Sequence, residues 1–310
     1  MNSKFLQSGH IKLYKRENSK YWQMKIKLPK QKAIRSSSGS KLLREAEKIA
    51  QKNYSLLSKE NKIQINKRSK NLYKKIHLVE TADLNKSEIE FILDEAKKFI
   101  SFNKKIIKKN NLLEGRTIFN LFFEDSTRTR TSFEVAAKRL GADLINVAVK
   151  DSSINKGETL LDTMTTINSM NPDVLIVRHP EEGISKKISM NVDACVINAG
   201  DGSHEHPTQA LLDALTIKNR FTNFSKLKIA ICGDILHSRV ARSNIIILSK
   251  LGAKINVIGP KEWLPKNIKS LPVTVFTDMK KGLKNCNIVM MLRIQKERIV
   301  RKIMPNLIFY

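Results

Sequence analysis

From residue 115 onward the chain alternates short apolar runs with amphipathic stretches, and few architectures accommodate that rhythm. Thr117–Phe123, Ala142–Val149, Asp173–Val177, Ala194–Asn198, Lys228–Cys232, Lys254–Ile258 and Asn287–Leu292 read as strands. Between them, Ser132–Leu140, Thr159–Met170 and Pro207–Ile217 have helical spacing. Leu84–Ile100 precedes the series as an amphipathic helix, with Leu84, Ile89, Ile92, Leu93, Ala96 and Ile100 on its apolar face. Strands separated by helices belong to parallel sheets, so the expected class is α/β. A break near residues 218–226 divides the series into two doubly wound parallel-sheet domains, 67–220 and 221–310, with a cleft between them.

Residues 1–66 follow another pattern and are expected to form a small basic α+β segment. Ile11–Tyr14, Tyr21–Leu28 and Ala33–Arg35 read as short strands, Ser36 to Ser40 as a loop, and Leu43–Leu57 as a helix. Asn61 to Ser69 is polar and charged, as a linker is. The net charge of +28 is unevenly placed: residues 1–70 hold 19 Lys and Arg against 4 Asp and Glu, and the other 240 residues hold 38 against 25. Richness in Lys, Ile and Asn along the whole chain is what an AT-rich genome yields, so much of the excess on the body reads as solvated surface. The N-terminal excess, with Tyr14, Tyr21 and Trp22 among the lysines, has the composition of a small DNA-binding module. Over GHIKLYKRENSKYWQMKIKLP and REAEKIA it resembles the arm-site-binding domain of phage-type tyrosine recombinases. That resemblance implies DNA as a partner of residues 1–66; a basic extension without function is the alternative left open. No recombinase catalytic domain follows, so recombination is not expected.

Several function classes are excluded early. No apolar run is long enough for a membrane helix, and the basic N-terminus lacks the apolar core of a signal peptide. Cys195, Cys232 and Cys286 are far apart and in no metal spacing, and are expected to be reduced, the first two buried, in a cytoplasmic protein. Cys232-Gly233-Asp234 follows a strand, but the full GxGxxG fingerprint is missing, so no dinucleotide is expected. His204-Glu205-His206 offers metal-ligand types without a third ligand at fitting spacing; neither metal nor other cofactor is expected.

The chemistry concentrates first at Phe123-Glu124-Asp125-Ser126-Thr127-Arg128-Thr129-Arg130-Thr131-Ser132-Phe133-Glu134. A strand ends near Phe123 and a helix begins, with Phe133, Ala136, Ala137 and Leu140 on one face and Gly141 just past its end. Ser126 to Thr129 therefore lie at a helix N-terminus, where exposed N–H groups and the helix dipole favour an anion. Hydroxyls and an arginine at the same place suit a phosphate dianion. STRTRTSFEVAAKRLGAD resembles the carbamoyl-phosphate signature of aspartate and ornithine carbamoyltransferases, and the Phe-Glu-Asp lead-in favours the aspartate branch. The resemblance covers about residues 69–300.

What that resemblance implies extends to five further stretches. Ser126, Thr127, Arg128 and Thr129 are expected to hold the phosphate. Ser152 and Lys156, on the loop Asp151–Thr159, are expected to reach the active site of a neighbouring subunit, so that a homotrimer shares its sites and a monomer is inactive. Arg178 and His206, with Thr129, are expected to hydrogen-bond the carbamoyl oxygen as an oxyanion hole does, and Gln209 to hold the carbamoyl amide. Arg239 is expected on the α-carboxylate of aspartate. Arg293 and Gln295 are expected on its side-chain carboxylate, where an ornithine side chain, a cation, would be repelled. Arg128, Thr129, Arg178 and His206 form the catalytic set. The implied reaction is direct attack of the α-amine of L-aspartate on carbamoyl phosphate, giving N-carbamoyl-L-aspartate and phosphate for pyrimidine synthesis. An ornithine-type or other transcarbamoylase, and an inactive fusion whose N-terminal segment binds DNA, are the alternatives left open.

The resemblance fails at both ends. Residues 1–66 are foreign to the family, and Ile303–Tyr310 do not resemble it. A His-Pro-x-Pro loop, further strands of the second domain and the last helices are expected after Arg298 and are not in the sequence. The second domain is therefore expected to be incomplete, and the chain unstable and weak as an enzyme.

Overall fold

A computed structural model describes residues 3–6, 10–15, 17, 19–27, 33–56, 76–147 and 159–295. The chain forms two compact units, Met1–Lys74 and Lys75–Tyr310.

The first unit is a four-stranded antiparallel sheet in sequence order, β1 (Ser3–Leu6), β2 (Ile11–Tyr14), β3 (Gln23–Ile26) and β4 (Ile34–Ser37), followed by helix α1 over 43–56. Period-two alternation puts Ile11, Leu13, Met24 and Ile26 on the helix side, where they pack with Trp22, Ala46 and Ala50. Two strand expectations are corrected here. β1 was not among the expected strands, and Ser36 and Ser37 belong to β4 rather than to a loop. Both are edge strands with exposed side chains, so neither carries the apolar alternation by which a strand is read.

The second unit contains two four-stranded parallel sheets. The first has the order β6 (Asp143–Val147), β5 (Thr117–Phe122), β7 (Val174–His179), β8 (Cys195–Asp201). The second has the order β11 (Val273–Phe276), β10 (Lys254–Ile258), β9 (Lys228–Cys232), β12 (Ile288–Met291). The α/β class and its parallel strands are thus as expected. β9 and β10 have the expected bounds; β7 and β8 run further, to His179 and Asp201, which carries the chain straight into the cleft. β11, of only four residues, was not among the expected strands. The central strands are near-continuous apolar runs because helices cover both faces of a parallel sheet.

Those helices are α2 (Lys86–Phe102), α3 (Thr127–Leu140), α4 (Leu160–Asn168), α5 (Ile184–Ser189), α6 (Pro207–Arg220), α7 (Arg239–Lys250) and α8 (Met279–Leu283). Their ends are locally encoded. Asn85 and Glu88 close a capping box on α2, Thr159 and Asp162 do so on α4, and Gly141 ends α3 in the left-handed region. α6 packs against α7, and that contact joins the two sheets. No helix among the described residues is long and apolar enough to cross a membrane. All three cysteines are free; Cys232 is buried, but Cys195 is only half-buried, at the start of its strand rather than within it.

Candidate active site

The carboxyl ends of β5, β7 and β8, the starts of α3, α6 and α7, and the end of β12 converge on one cleft of about 1510 Å³. This is the place where an open α/β sheet presents loops and helix N-termini. Ser126, Arg128, Thr129, Arg178, His206, Gln209, Arg239, Arg293 and Gln295 all line it. They come from segments far apart in the chain. Thr127, the first residue of α3, lines the neighbouring groove between α2 and α3 and is not brought into this cleft. Ser152 and Lys156 lie outside the described residues.

At the start of α3, Ser126 is the N-cap residue in an extended conformation and its side chain makes no capping hydrogen bond. The first-turn N–H groups are therefore not claimed by the usual cap, and the positive end of the helix dipole stands open to an anion. Arg128 and Thr129 flank that opening.

Two guanidinium groups meet at the floor. Arg178, at the end of β7, donates from Nη1 to the carbonyl of Ala199 at 3.2 Å, and its Nη2 lies 2.5 Å from the carboxylate of Glu124. Arg239 opens α7 and is only 4% exposed; it donates from Nη1 to the carbonyl of Gly202 at 3.0 Å and pairs with the same Glu124 oxygen. Gly200 makes this approach possible. A Cβ there, at φ +116°, would lie 2.9 Å from the Arg239 guanidinium and 3.2 Å from that of Arg178.

His206 sits between these cations as the N-cap of α6, just before Pro207, and is 6% exposed. Its backbone N–H donates to Ser243 Oγ on α7 at 2.8 Å, and its Nδ1 lies 3.4 Å from Thr208 Oγ1. Burial, then the charges of Arg239 and Arg178, push its pKa down to about 3. The ring is neutral at ordinary pH, and it can donate a hydrogen bond to a developing oxyanion without transferring a proton. His204 behaves oppositely: its hydrogen bond to Asp201 raises its pKa. Glu205 turns inward and accepts from Thr81 and Ser243, with burial raising its pKa. The three side chains of His204-Glu205-His206 thus have separate partners and do not converge. No cluster of His, Cys, Asp or Glu that could hold a metal ion occurs among the described residues.

Gln209, in the first turn of α6, donates from Nε2 to Asp213 Oδ1 at 2.9 Å. Desolvation raises the Asp213 carboxyl, against the pull of the amides of Asn244 and Gln209. On the far wall, Gln295 donates its backbone N–H to Asp234 Oδ2 at 3.2 Å, and Asp234 also accepts from the backbone N–H of His237 at 3.2 Å. Arg293 is exposed at the mouth.

The sequence reading missed Glu124, Ser243, Asp234 and Asp213. Glu124 and Asp234 lie inside stretches singled out for other residues. Ser243 and Asp213 sit within helices and have no local mark; only the packing of α6 on α7 brings them to the site.

Comparison with known proteins agrees on one assignment. The family model described as "Aspartate/ornithine carbamoyltransferase, carbamoyl-P binding domain" matches residues 76–219. The aspartate carbamoyltransferase catalytic subunit of Pelagibacter ubique is 54% identical over 230 residues, which are 74% of each chain. Among solved structures, the catalytic subunit of M. Jannaschii aspartate transcarbamoylase superposes with a TM-score of 0.64 at 38% identity, covering 74% of this chain and 77% of that one. The aspartate transcarbamoylase of Trypanosoma cruzi in complex with N-(phosphonacetyl)-L-aspartic acid superposes with a TM-score of 0.66 at 31% identity, covering 74% and 77%.

Proposed function

The chain belongs to the aspartate carbamoyltransferase family, and from that premise we infer that it transfers the carbamoyl group of carbamoyl phosphate to the α-amine of L-aspartate, giving N-carbamoyl-L-aspartate and phosphate. The observation that carries the reading is the convergence on one cleft of an uncapped helix start, a neutral buried imidazole and four arginines.

In this reading the phosphate of carbamoyl phosphate binds at Ser126, Thr127, Arg128 and Thr129. Its carbamoyl oxygen accepts from Thr129, Arg178 and His206, and its amide meets Gln209. Arg239 takes the α-carboxylate of aspartate, and Arg293 and Gln295 the side-chain carboxylate. The free amine attacks the carbamoyl carbon, the carbonyl electrons move onto oxygen, and the three donors stabilise the charge that develops there. The C–O bond to phosphate then breaks, and the departing phosphate takes the amine proton. Holding two anions side by side is the larger part of the task, and the arginines supply it. Glu124 pairs with Arg178 and Arg239, and in this reading substrate oxygens take its place. A homotrimer with Ser152 and Lys156 entering the neighbouring site completes the proposal, with the product feeding pyrimidine synthesis.

The test incubates the purified full chain with carbamoyl phosphate and either L-aspartate or L-ornithine and measures the carbamoylated product. Product from aspartate alone is expected. Product from ornithine would reassign the specificity, and product from neither would sink the activity of this chain.

A second reading concerns the first unit and rests on its strand register. Phe5, Lys12, Lys25 and Arg35 stand side by side across the four strands, on the face turned away from the helix. Lys12 Nζ lies 5.2 Å from the Phe5 ring centre. We propose that this row binds the phosphates of duplex DNA. Binding should weaken with salt, with a log–log slope of about −0.9 per phosphate contacted. A triple Ala variant at Lys12, Lys25 and Arg35 that binds duplex as the wild type does would end this reading.

A further inference from the structure

We infer that Asp213 is a positioning residue that presents the carbonyl oxygen of Gln209 to the cleft, so that the site reads an N–H group on the acyl carbon rather than a methyl group. The inference rests on the carbamoyl-transfer reading and names what sets the specificity of one wall of that site.

Gln209 and Asp213 are one helical turn apart on α6, on the face that lines the cleft. A glutamine amide has two unlike ends of nearly equal shape, and what it offers a ligand depends on which end is held. Here a carboxylate holds it. Asp213 can only accept, so the end facing it must be the nitrogen: Gln209 Nε2 donates to Asp213 Oδ1 at 2.9 Å. Gln209 Oε1 has no protein partner among the described residues and is left to the cleft. An oxygen there accepts from a carbamoyl NH₂ and has nothing to accept from an acetyl CH₃.

Asp213 is in turn held in place. Asn244, fully buried on α7, donates from Nδ2 to Asp213 Oδ2 at 2.7 Å and to the carbonyl of Val240 at 3.1 Å. The carboxylate therefore has one oxygen committed to Gln209 and the other to a residue outside the cleft. Asn244 Oδ1 is buried without a hydrogen-bond partner among the described residues. The Asn244 nitrogen serves both Asp213 and Val240, so turning the amide over would set Oδ1 against the Val240 carbonyl, and Asn244 is held in one orientation.

The experiment titrates carbamoyl phosphate, acetyl phosphate and inorganic phosphate into the full chain by calorimetry, alongside the carbamoyl-aspartate assay. The wild type should prefer carbamoyl over acetyl phosphate. Asp213→Ala frees the amide to present either end, and the preference should fall about tenfold, the worth of one hydrogen bond to a fixed acceptor. Inorganic phosphate, held at the start of α3, should bind as before. Asp213→Asn has one oxygen to offer where Gln209 and Asn244 both donate, so the preference should fall, but by less than in Asp213→Ala. Asn244→Leu removes the outer tether only, should lower the preference in the same direction by about threefold, and carries the test if Asp213→Ala does not fold. An unchanged preference in Asp213→Ala or, should that not fold, in Asn244→Leu overturns the inference. So does a parallel loss of phosphate affinity, which would mark a purely structural role for Asp213. A wild type that prefers carbamoyl phosphate yet forms no product contradicts the transfer reading and leaves the inference standing. A wild type without the preference overturns the inference itself.

Discussion

The carboxylate of Glu124, two residues past β5, lies 2.5 Å from Nη2 of Arg178. The same oxygen also meets the guanidinium of Arg239, which comes from the other sheet. A single carboxylate is thus shared by two cations. Glu124→Gln keeps the shape and leaves two largely buried guanidinium groups without their counter-charge, which costs about 3 kcal/mol of stability. Denaturation of the variant should show that loss, and added phosphonoacetyl-aspartate should restore more stability to it than to the wild type. Equal stability of the two empty proteins would mean that the bridge holds nothing.

Arg128 stands beside an uncapped helix start and has no comparable structural duty. Its replacement by Ala should reduce kcat/KM by at least about a hundredfold, the usual effect of removing one preorganised donor to a developing charge. The folded state should be unaffected, so the melting temperature is the control. A variant within a few-fold of wild-type activity would move the phosphate elsewhere.

Arg293 lies on the wall assigned to the side-chain carboxylate of aspartate. Its loss removes a charge-assisted hydrogen bond, and KM for aspartate should rise by roughly ten- to a hundredfold in Arg293→Ala. Binding of carbamoyl phosphate should not change. A rise in both constants would show that Arg293 braces the cleft instead of reading the amino acid.

His206, buried, and His204, half-buried, differ in sign. The folded value for His206, about 3, is below its ordinary 6.5. Between those two values the unfolded chain binds a proton that the folded chain does not, so this contribution to stability is present above 6.5 and is lost as pH falls towards 3. His204 is raised by Asp201, and its contribution is present below 6.5 and lost as pH rises through its folded value. Imidazole titration by NMR separates the two. A His206 that titrates near 6.5 would contradict the burial and the flanking arginines.

Lys156, proposed to serve a neighbouring site, predicts complementation. Lys156→Ala and Arg239→Ala chains should each be inactive alone. Mixed and reassembled, they should recover a fraction of the wild-type rate, because some sites then draw both residues from intact chains. No recovery after verified subunit exchange would place Lys156 in its own subunit's site.

How much of this was readable beforehand depends on distance along the chain. The phosphate cradle is local: Phe123 to Phe133 contains the strand end, the turn, the hydroxyls, the arginines and the helix start, so eleven consecutive residues carry the argument. β9 and β10 were readable to the residue because a strand covered on both faces is a near-continuous apolar run, interrupted in β10 by the buried Asn256. Edge strands β1 and β11 escaped and β4 was read only in part, as Ala33–Arg35, because an edge strand of four residues with exposed positions carries too little pattern. The alternation of apolar and amphipathic stretches determined the α/β class, the helix start at Ser126 the anion chemistry, and the family resemblance which arginines to suspect. The tertiary structure decided what those groups do to one another. It set Glu124 between two arginines, turned the amide of Gln209 by way of Asp213 and Asn244, and kept His206 neutral by burying it between cations. Hydrogen bonds and Coulomb forces act through space over a few ångströms, and residues that meet at that range from opposite sheets leave no spacing in the sequence from which the meeting could be read.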